Sequence, residues 1–231
     1  IKEANTLAEA ILARCRHFLG HIDPRVRLTV LDTVSRSAQV LAGNDTVLLP
    51  ALHKLWQPLK SRLNDHEPHV RIRAFDALSV IFSVSGDFLV RRFSTDVLPS
   101  MCSALRRAAE QGDLHLSRYA VAYRMVCSAL GLLGAVVGGI GLRVDEACTL
   151  ISACRPFLRR AAPTDVQDLA VGVLRSLAVD DADAVWLELA GLAGGKIGLP
   201  PCPEGFPSPN LPAAPEPCSP GVTALISELG R

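Results

Sequence analysis

Aromatic side chains are scarce in this sequence. Phe, Trp and Tyr supply 5% of the residues while hydrophobic residues supply 49%, so the interior has to be leucine, valine and alanine packed helix on helix. Charge of one sign is lacking as well. With 24 basic and 23 acidic side chains the formal charge is +1, and no long-range field draws in nucleic acid or anionic lipid. The seven cysteines, Cys15, Cys102, Cys127, Cys148, Cys154, Cys202 and Cys218, are odd in number and form no Cys-x-x-Cys pair. A reducing compartment fits that pattern. No secretory signal is visible either, because Glu9, Arg14 and Arg16 interrupt the first apolar stretch.

Patterns that carry chemistry are missing too. The histidines at 17, 21, 53, 66, 69 and 115 are scattered; Gly20 breaks the helix between His17 and His21, and Pro68 places His66 and His69 at a helix boundary. There is no Gly-x-Ser-x-Gly elbow, and Gly138-Gly139-Ile140-Gly141 follows a helical pattern with no lysine and hydroxyl residue behind it. The acids of Asp180-Asp181-Ala182-Asp183 lack the glycine turn that would wrap them around calcium, and read as a helix start. These absences predict a chain without catalytic residues, metal or cofactor.

What is present is organised around residues 49 to 99. Leu52, Leu55, Trp56, Leu59 and Leu63 recur at helical spacing, Asn64-Asp65-His66-Glu67-Pro68 makes a turn, and Val70, Ala74, Phe75, Ala77, Leu78, Ile81 and Phe82 form a second stripe. The pattern predicts a helical hairpin. Pro68 suits a first helical turn, where its missing N–H would be unpaired anyway. The same signature stands 44 residues earlier: Pro24, Val26, Arg27, Leu31 and Asp32 correspond to Pro68, Val70, Arg71, Phe75 and Asp76. A fixed step of that size, with a proline, a valine and an arginine opening the second helix, predicts an all-α, HEAT/armadillo-like α-solenoid of stacked antiparallel helix pairs.

The rest of the chain extends this reading. Leu7, Ile11, Leu12, Cys15 and Leu19 predict an amphipathic first helix stopped by Gly20, and the opening Ile1-Lys2-Glu3 without a start methionine suggests a beginning inside a longer protein. Met101, Ala104, Leu105 and Ala108 predict a helix over 100–111. Met125 to Leu142 is uncharged and just long enough to span a bilayer, but its glycines thin the apolar surface and predict a buried helix ending near Val137, where small residues let neighbours approach. Ala162-Pro163-Thr164-Asp165-Val166 echoes the repeat, with Thr164 or Asp165 as cap, and Val185, Trp186, Leu189 and Leu192 form another buried stripe. The organisation expected is helical repeats over 1–193, an extended proline-rich loop over 194–220, and a short closing helix over 221–231 that must dock on the solenoid or on a partner.

One block is more specific. Trp56-Gln57-Pro58-Leu59, the proline-opened helix, Gly86-Asp87-Phe88-Leu89, Arg92-Phe93 and Asp96-Val97-Leu98-Pro99 resemble the C-terminal region of the Tel-two-interacting-protein-one family, and the likeness extends more loosely along the whole chain. Members of that family are scaffold subunits of the cytosolic TTT co-chaperone complex. The resemblance implies a non-catalytic, protein-binding scaffold. It implies assembly with the Tel-two and Tel-two-interacting-protein-two subunits, maturation of phosphatidylinositol-kinase-related kinases such as mTOR and ATM, and indirect contact with heat-shock chaperones. It implies a cytoplasmic location, with the nucleus as a second one, and no nucleic acid or membrane partner. Within the block, Asp87 can cap a helix, Phe88, Leu89 and Phe93 form an apolar face, and Arg91 and Arg92 extend outward or pair with Asp96. Whether that corner is a packed turn between repeats or a partner contact stays open. Trp56, Arg71, Arg73, Arg91, Arg92 and Trp186 are the candidate protein-binding residues, each with a structural role as its alternative. The competing class is a nucleic-acid- or membrane-associated helical-repeat adaptor, using the Arg106-Arg107 and Arg159-Arg160 pairs or the glycine-rich apolar helix.

Overall fold

A turn is drawn twice in this chain with the same bonds. In the computed structural model, which describes residues 2–110, 120–138, 140–192 and 218–230, helices α1 (Lys2–Phe18) and α2 (Pro24–Val40) form the first pair and α3 (Asp45–Arg62) and α4 (Pro68–Ser85) the second. Pro24 and Pro68 both occupy the first turn of their helix. Before Pro24, His21 Nδ1 accepts the N–H of Asp23 at 3.0 Å; before Pro68, Asp65 accepts the N–H of Glu67 at 3.0 Å. Arg27 then reaches back to the carbonyls of His21 and Ile22 at 2.8 and 2.9 Å, and Arg71 to those of Asp65 and His66 at 2.7 and 3.4 Å. The repeat therefore extends from the hydrophobic pattern to single hydrogen bonds.

After a connecting spur at residues 86–97, the chain continues as α6 (Leu98–Glu110), α7 (Val121–Val136), α8 (Val144–Cys154), α9 (Thr164–Leu177), α10 (Ala182–Leu192) and α11 (Pro220–Leu229); the spur itself holds the one-turn helix α5 (Val90–Arg92). Two rows result. The first helices of the pairs make one row, in which α1 packs on α3, α6 on α8 and α8 on α10; the second helices make the other, with α2, α4, α7, α9 and α11 each against the next. This is an all-α solenoid, and its core is one continuous cluster from Ala8 to Leu225, dominated by leucine, valine and alanine. No strand occurs among the described residues; Arg159 and Cys218 form an isolated antiparallel bridge.

The uncharged stretch becomes α7, which ends at Val136 and buries Tyr123, Val126, Ala129, Leu130, Leu132 and Leu133. No described helix is long and apolar enough to cross a membrane. The glycines let α7 and α9 close up: Ser176 Oγ donates to the Gly134 carbonyl at 2.9 Å, and a Cβ on Gly138 would stand 3.2 Å from the Ser176 carbonyl. Gly141 takes a φ of 65°, a conformation natural to glycine, where the chain turns towards α8.

The start of α9 differs from the expectation. Its cap is Pro163 with no side-chain bond to the backbone, because Asp165 instead accepts the phenolic O–H of Tyr123 from α7. That bond, with burial, pushes the Tyr123 phenol above its usual range. At α10 the expected acid does cap, with Asp181 accepting the N–H of Ala184 at 3.0 Å. The closing helix α11 docks on α9 and α10, burying Val222 and Leu225, and Arg175 pairs with Glu228 at 3.1 Å. The expectations for the proline-rich stretch 194–217 and for the Asp87 side chain lie outside the described residues.

The two leading pairs are locked by Asp65, which is 5% exposed. Besides the Glu67 N–H, its carboxylate takes Arg27 Nη2 from the first pair at 2.8 Å and Arg62 Nη1 at 2.7 Å. Burial works against the charge, but the Glu67 and Arg27 hydrogen bonds and the Arg27 and Arg62 charges outweigh it and hold the carboxyl below the usual range. Asp65→Ala, which strands two guanidinium groups, is expected to cost roughly 3–5 kcal/mol in urea unfolding. Because the folded value is depressed, the stabilisation is complete above the ordinary aspartate pKa of about 3.9 and is lost as pH falls through the lower folded value. An acid titration of stability should show this loss in the native chain and a smaller one in Asp65→Asn.

Candidate functional site

Where the first row passes from α3 to α6, the two helices are joined by the spur. α4 stops at Gly86, whose φ of 53° turns the chain, and a 3₁₀ turn (Gly86–Leu89), α5 and a π-turn (Phe93–Val97) follow. Leu89, Phe93 and Val97 anchor the spur from below, and the Phe93 ring meets Phe82 of α4 edge to face at 5.3 Å. The apolar corner is thus packed. Phe88, on the outside, is 41% exposed.

Above that anchor the polar side chains of α3 and the spur interlock. Asp96 accepts Trp56 Nε1 at 2.7 Å and Lys60 Nζ at 2.6 Å. Burial opposes its charge, yet the Lys60 and Trp56 hydrogen bonds and the charges of Lys60 and Arg92 hold the Asp96 carboxyl below its usual range. Asp96 is therefore an acceptor, not a proton donor, at neutral pH. Arg92 lies between two rings, with Cζ 5.5 Å from the Trp56 centroid and 5.6 Å from that of Phe88. Its Nη2 stands 2.7 Å from His53 Nδ1, and since a guanidinium has only donors, that imidazole nitrogen accepts. Asn64 and Ser100 close the junction at 3.2 Å.

Of the six candidate residues, the fold brings Trp56 and Arg92 into contact with Arg91 beside them, and leaves Arg71, Arg73 and Trp186 apart. Trp56 is 4% exposed, so it supports Arg92 from beneath. Arg91 is exposed next to Arg92, and its carbonyl receives the Ser94 and Thr95 hydroxyls. Arg71 is engaged with the turn carbonyls at 65 and 66, and Arg73 pairs with Asp32 of α2 at 3.1 Å in the second row. Trp186, half-buried on α10, lies under the end of α11, where a Cβ on Gly230 would come within 3.2 Å of its Nε1.

Sequence reasoning missed His53, Lys60 and the role of Phe88. A signal for Lys60 existed: it is four residues after Trp56, so both side chains leave α3 on one side and can share an acceptor. His53 and Phe88 carried no signal, because their meeting depends on the path of the spur. Among the described residues no three His, Cys, Asp or Glu side chains cluster for a metal. The junction can present a fixed cation, an imidazole and an aromatic edge, which is the chemistry of recognition.

Arg92→Ala removes both ring contacts and is expected to lower stability by about 1 kcal/mol. Arg91→Ala, on the exposed side, should leave the urea midpoint nearly unchanged, within about 0.5 kcal/mol.

Comparison with known proteins agrees with this architecture. The family described as the TTI1 C-terminal TPR domain matches residues 2–186. The mouse TELO2-interacting protein 1 homolog is 30% identical over 187 residues, 79% of this chain and 17% of its own length. The human TELO2-interacting protein 1 homolog is 30% identical over 205 residues, 87% of this chain and 19% of its own length. No solved structure matches. The chain thus spans less than a fifth of these relatives, and the part it spans is a stack of helix pairs. With the match running from the first helix into α10, the chain belongs to the TTI1 C-terminal TPR domain family.

Proposed function

We propose that this chain is a non-catalytic, protein-binding scaffold of the TTT co-chaperone complex, contacting Tel-two and Tel-two-interacting protein two. In this reading it supports the folding and assembly of phosphatidylinositol-kinase-related kinases such as mTOR and ATM, with heat-shock chaperones engaged indirectly, in the cytoplasm and also the nucleus. The observation that carries the reading is the 30% identity sustained over 205 residues with a human protein whose name states an interaction with TELO2. The two-row stack adds the physical means, since such stacks offer long ridges and grooves to other proteins.

The six candidate residues divide by role in this proposal. Arg91 and Arg92, with Phe88, face a partner directly. Trp56 holds Arg92 in place, Arg71 fixes the α3–α4 turn, Arg73 ties α4 to α2, and Trp186 seats the closing helix.

Purified chain mixed with Tel-two and Tel-two-interacting protein two should co-elute with one or both in size-exclusion chromatography at ordinary salt. Replacing Arg91 and Arg92 together by glutamate should weaken that co-elution while far-UV circular dichroism stays unchanged. Failure of the native chain to co-elute with either subunit, or retention only on DNA or vesicles, overturns the proposal.

A further inference from the structure

The first row carries a groove that the junction does not use. It runs between α1 and α3, has a volume of about 270 Å³, and its floor is Leu12 and Leu55, both buried. It is open because small side chains line it: Ala13 on α1 and Ala51 on α3 leave space where larger residues would interdigitate. Along α1 the lining runs from Glu9 to His17, a little over two helical turns or about 12 Å.

The rim of this groove carries more basic than acidic side chains. Arg16 and His17 stand on the α1 wall and Lys54 on the α3 wall, all exposed, against a single acid, Glu9. Arg16, His17 and Lys54 make no hydrogen bond or ion pair through their side chains with another described residue. The charges of Arg16 and Lys54 are therefore unspent inside the fold. Next to Lys54 in the chain, His53 is already bonded to Arg92 of the spur.

We infer that this groove is a docking site for an acidic peptide segment of a partner protein, one apolar side chain seated on Leu12 and Leu55 and carboxylates on either side meeting Arg16, His17 and Lys54. The inference rests on the scaffold reading and gives it a partner chemistry. An apolar floor between cationic walls selects an amphipathic acidic peptide. A nucleic-acid backbone would gain from the walls only, and a lysine-rich peptide would meet repulsion on both sides. The cavity is near the lower end of the range for small-molecule pockets, about 300 Å³, which suits one anchoring side chain.

The test uses the whole chain and three fluorescein-labelled helical peptides: one with a leucine face and a glutamate face, one with lysine for glutamate, one with serine for leucine. In fluorescence anisotropy only the leucine–glutamate peptide should saturate, and its affinity should fall as salt rises. The paired substitutions Arg16→Glu and Lys54→Glu should weaken it at least about tenfold. Ala51→Trp, which fills the trench without touching the charges, should weaken it comparably, with circular dichroism reporting retained helix. Absence of saturable binding, equal binding of either control peptide, or equal binding of a single-stranded oligonucleotide overturns the inference. Co-elution with Tel-two or Tel-two-interacting protein two separates the two proposals: if the groove variants still co-elute as the native chain does, the groove assignment fails and the scaffold reading stands.

Discussion

A single buried carboxylate sets the geometry of the leading repeats. Asp65 closes its own turn through the Glu67 N–H, ties to Arg62 at the end of α3, and takes Arg27 from the preceding pair. Apolar packing between α2 and α4 is strong but has no direction, and leucine faces alone tolerate a sliding offset. A carboxylate bound from three sides does not. If α2 slid by one turn against α4, Asp65 would keep Arg62 and the Glu67 N–H but lose Arg27, and the cost of a buried carboxylate and guanidinium drawn apart enforces one register.

The passage from α3 to α6 solves the same problem by other means. The spur separates these helices, so the first row there is sewn by side chains: Trp56 and Lys60 to Asp96, Arg92 between two rings, Asn64 to Ser100. Lys60 and Asp96, with side chains 35% and 21% exposed, sit nearer water than Asp65 does. In the proposed reading, recognition and structural groups at the junction are the same residues, and Arg92 serves a partner only while Trp56 and Phe88 hold it.

Much of the fold was legible before any coordinates. The 44-residue step between Pro24 and Pro68 announced the helix pairs, and it lies in the range of HEAT-type repeats, about 40–47 residues, although the matching family carries the tetratricopeptide name, whose usual period is about 34. Both names describe stacked helix pairs. The end of α7 and the Asp181 cap also followed from local rules about glycine and about helix starts. The Tyr123–Asp165 clasp was hidden, because a capping residue and a cross-helix acceptor look alike in sequence and only the approach of α7 to α9 decides between them. The candidate site was read in part: Trp56 and Arg92 are neighbours, but the 44-residue correspondence of Arg27 and Arg71 already hinted that Arg71 belongs to a turn. The α1–α3 groove had no sequence signature, since alanines at 13 and 51 acquire meaning only when their helices lie side by side.

Farther along α2, α4 and α7 the bonds differ from the dry lock at Asp65. Asp32 to Arg73 and Asp76 to Ser128 stand largely in water, and bonds of that kind contribute little individually, up to about 1 kcal/mol. Such rungs can open and re-form one at a time without exposing the core. The contact of α2 with α4 is thus pinned at its turn end, where Arg27 meets Asp65, and held further along by a bond in water, so that it resists sliding yet yields in angle, in the manner of a page fixed at its spine.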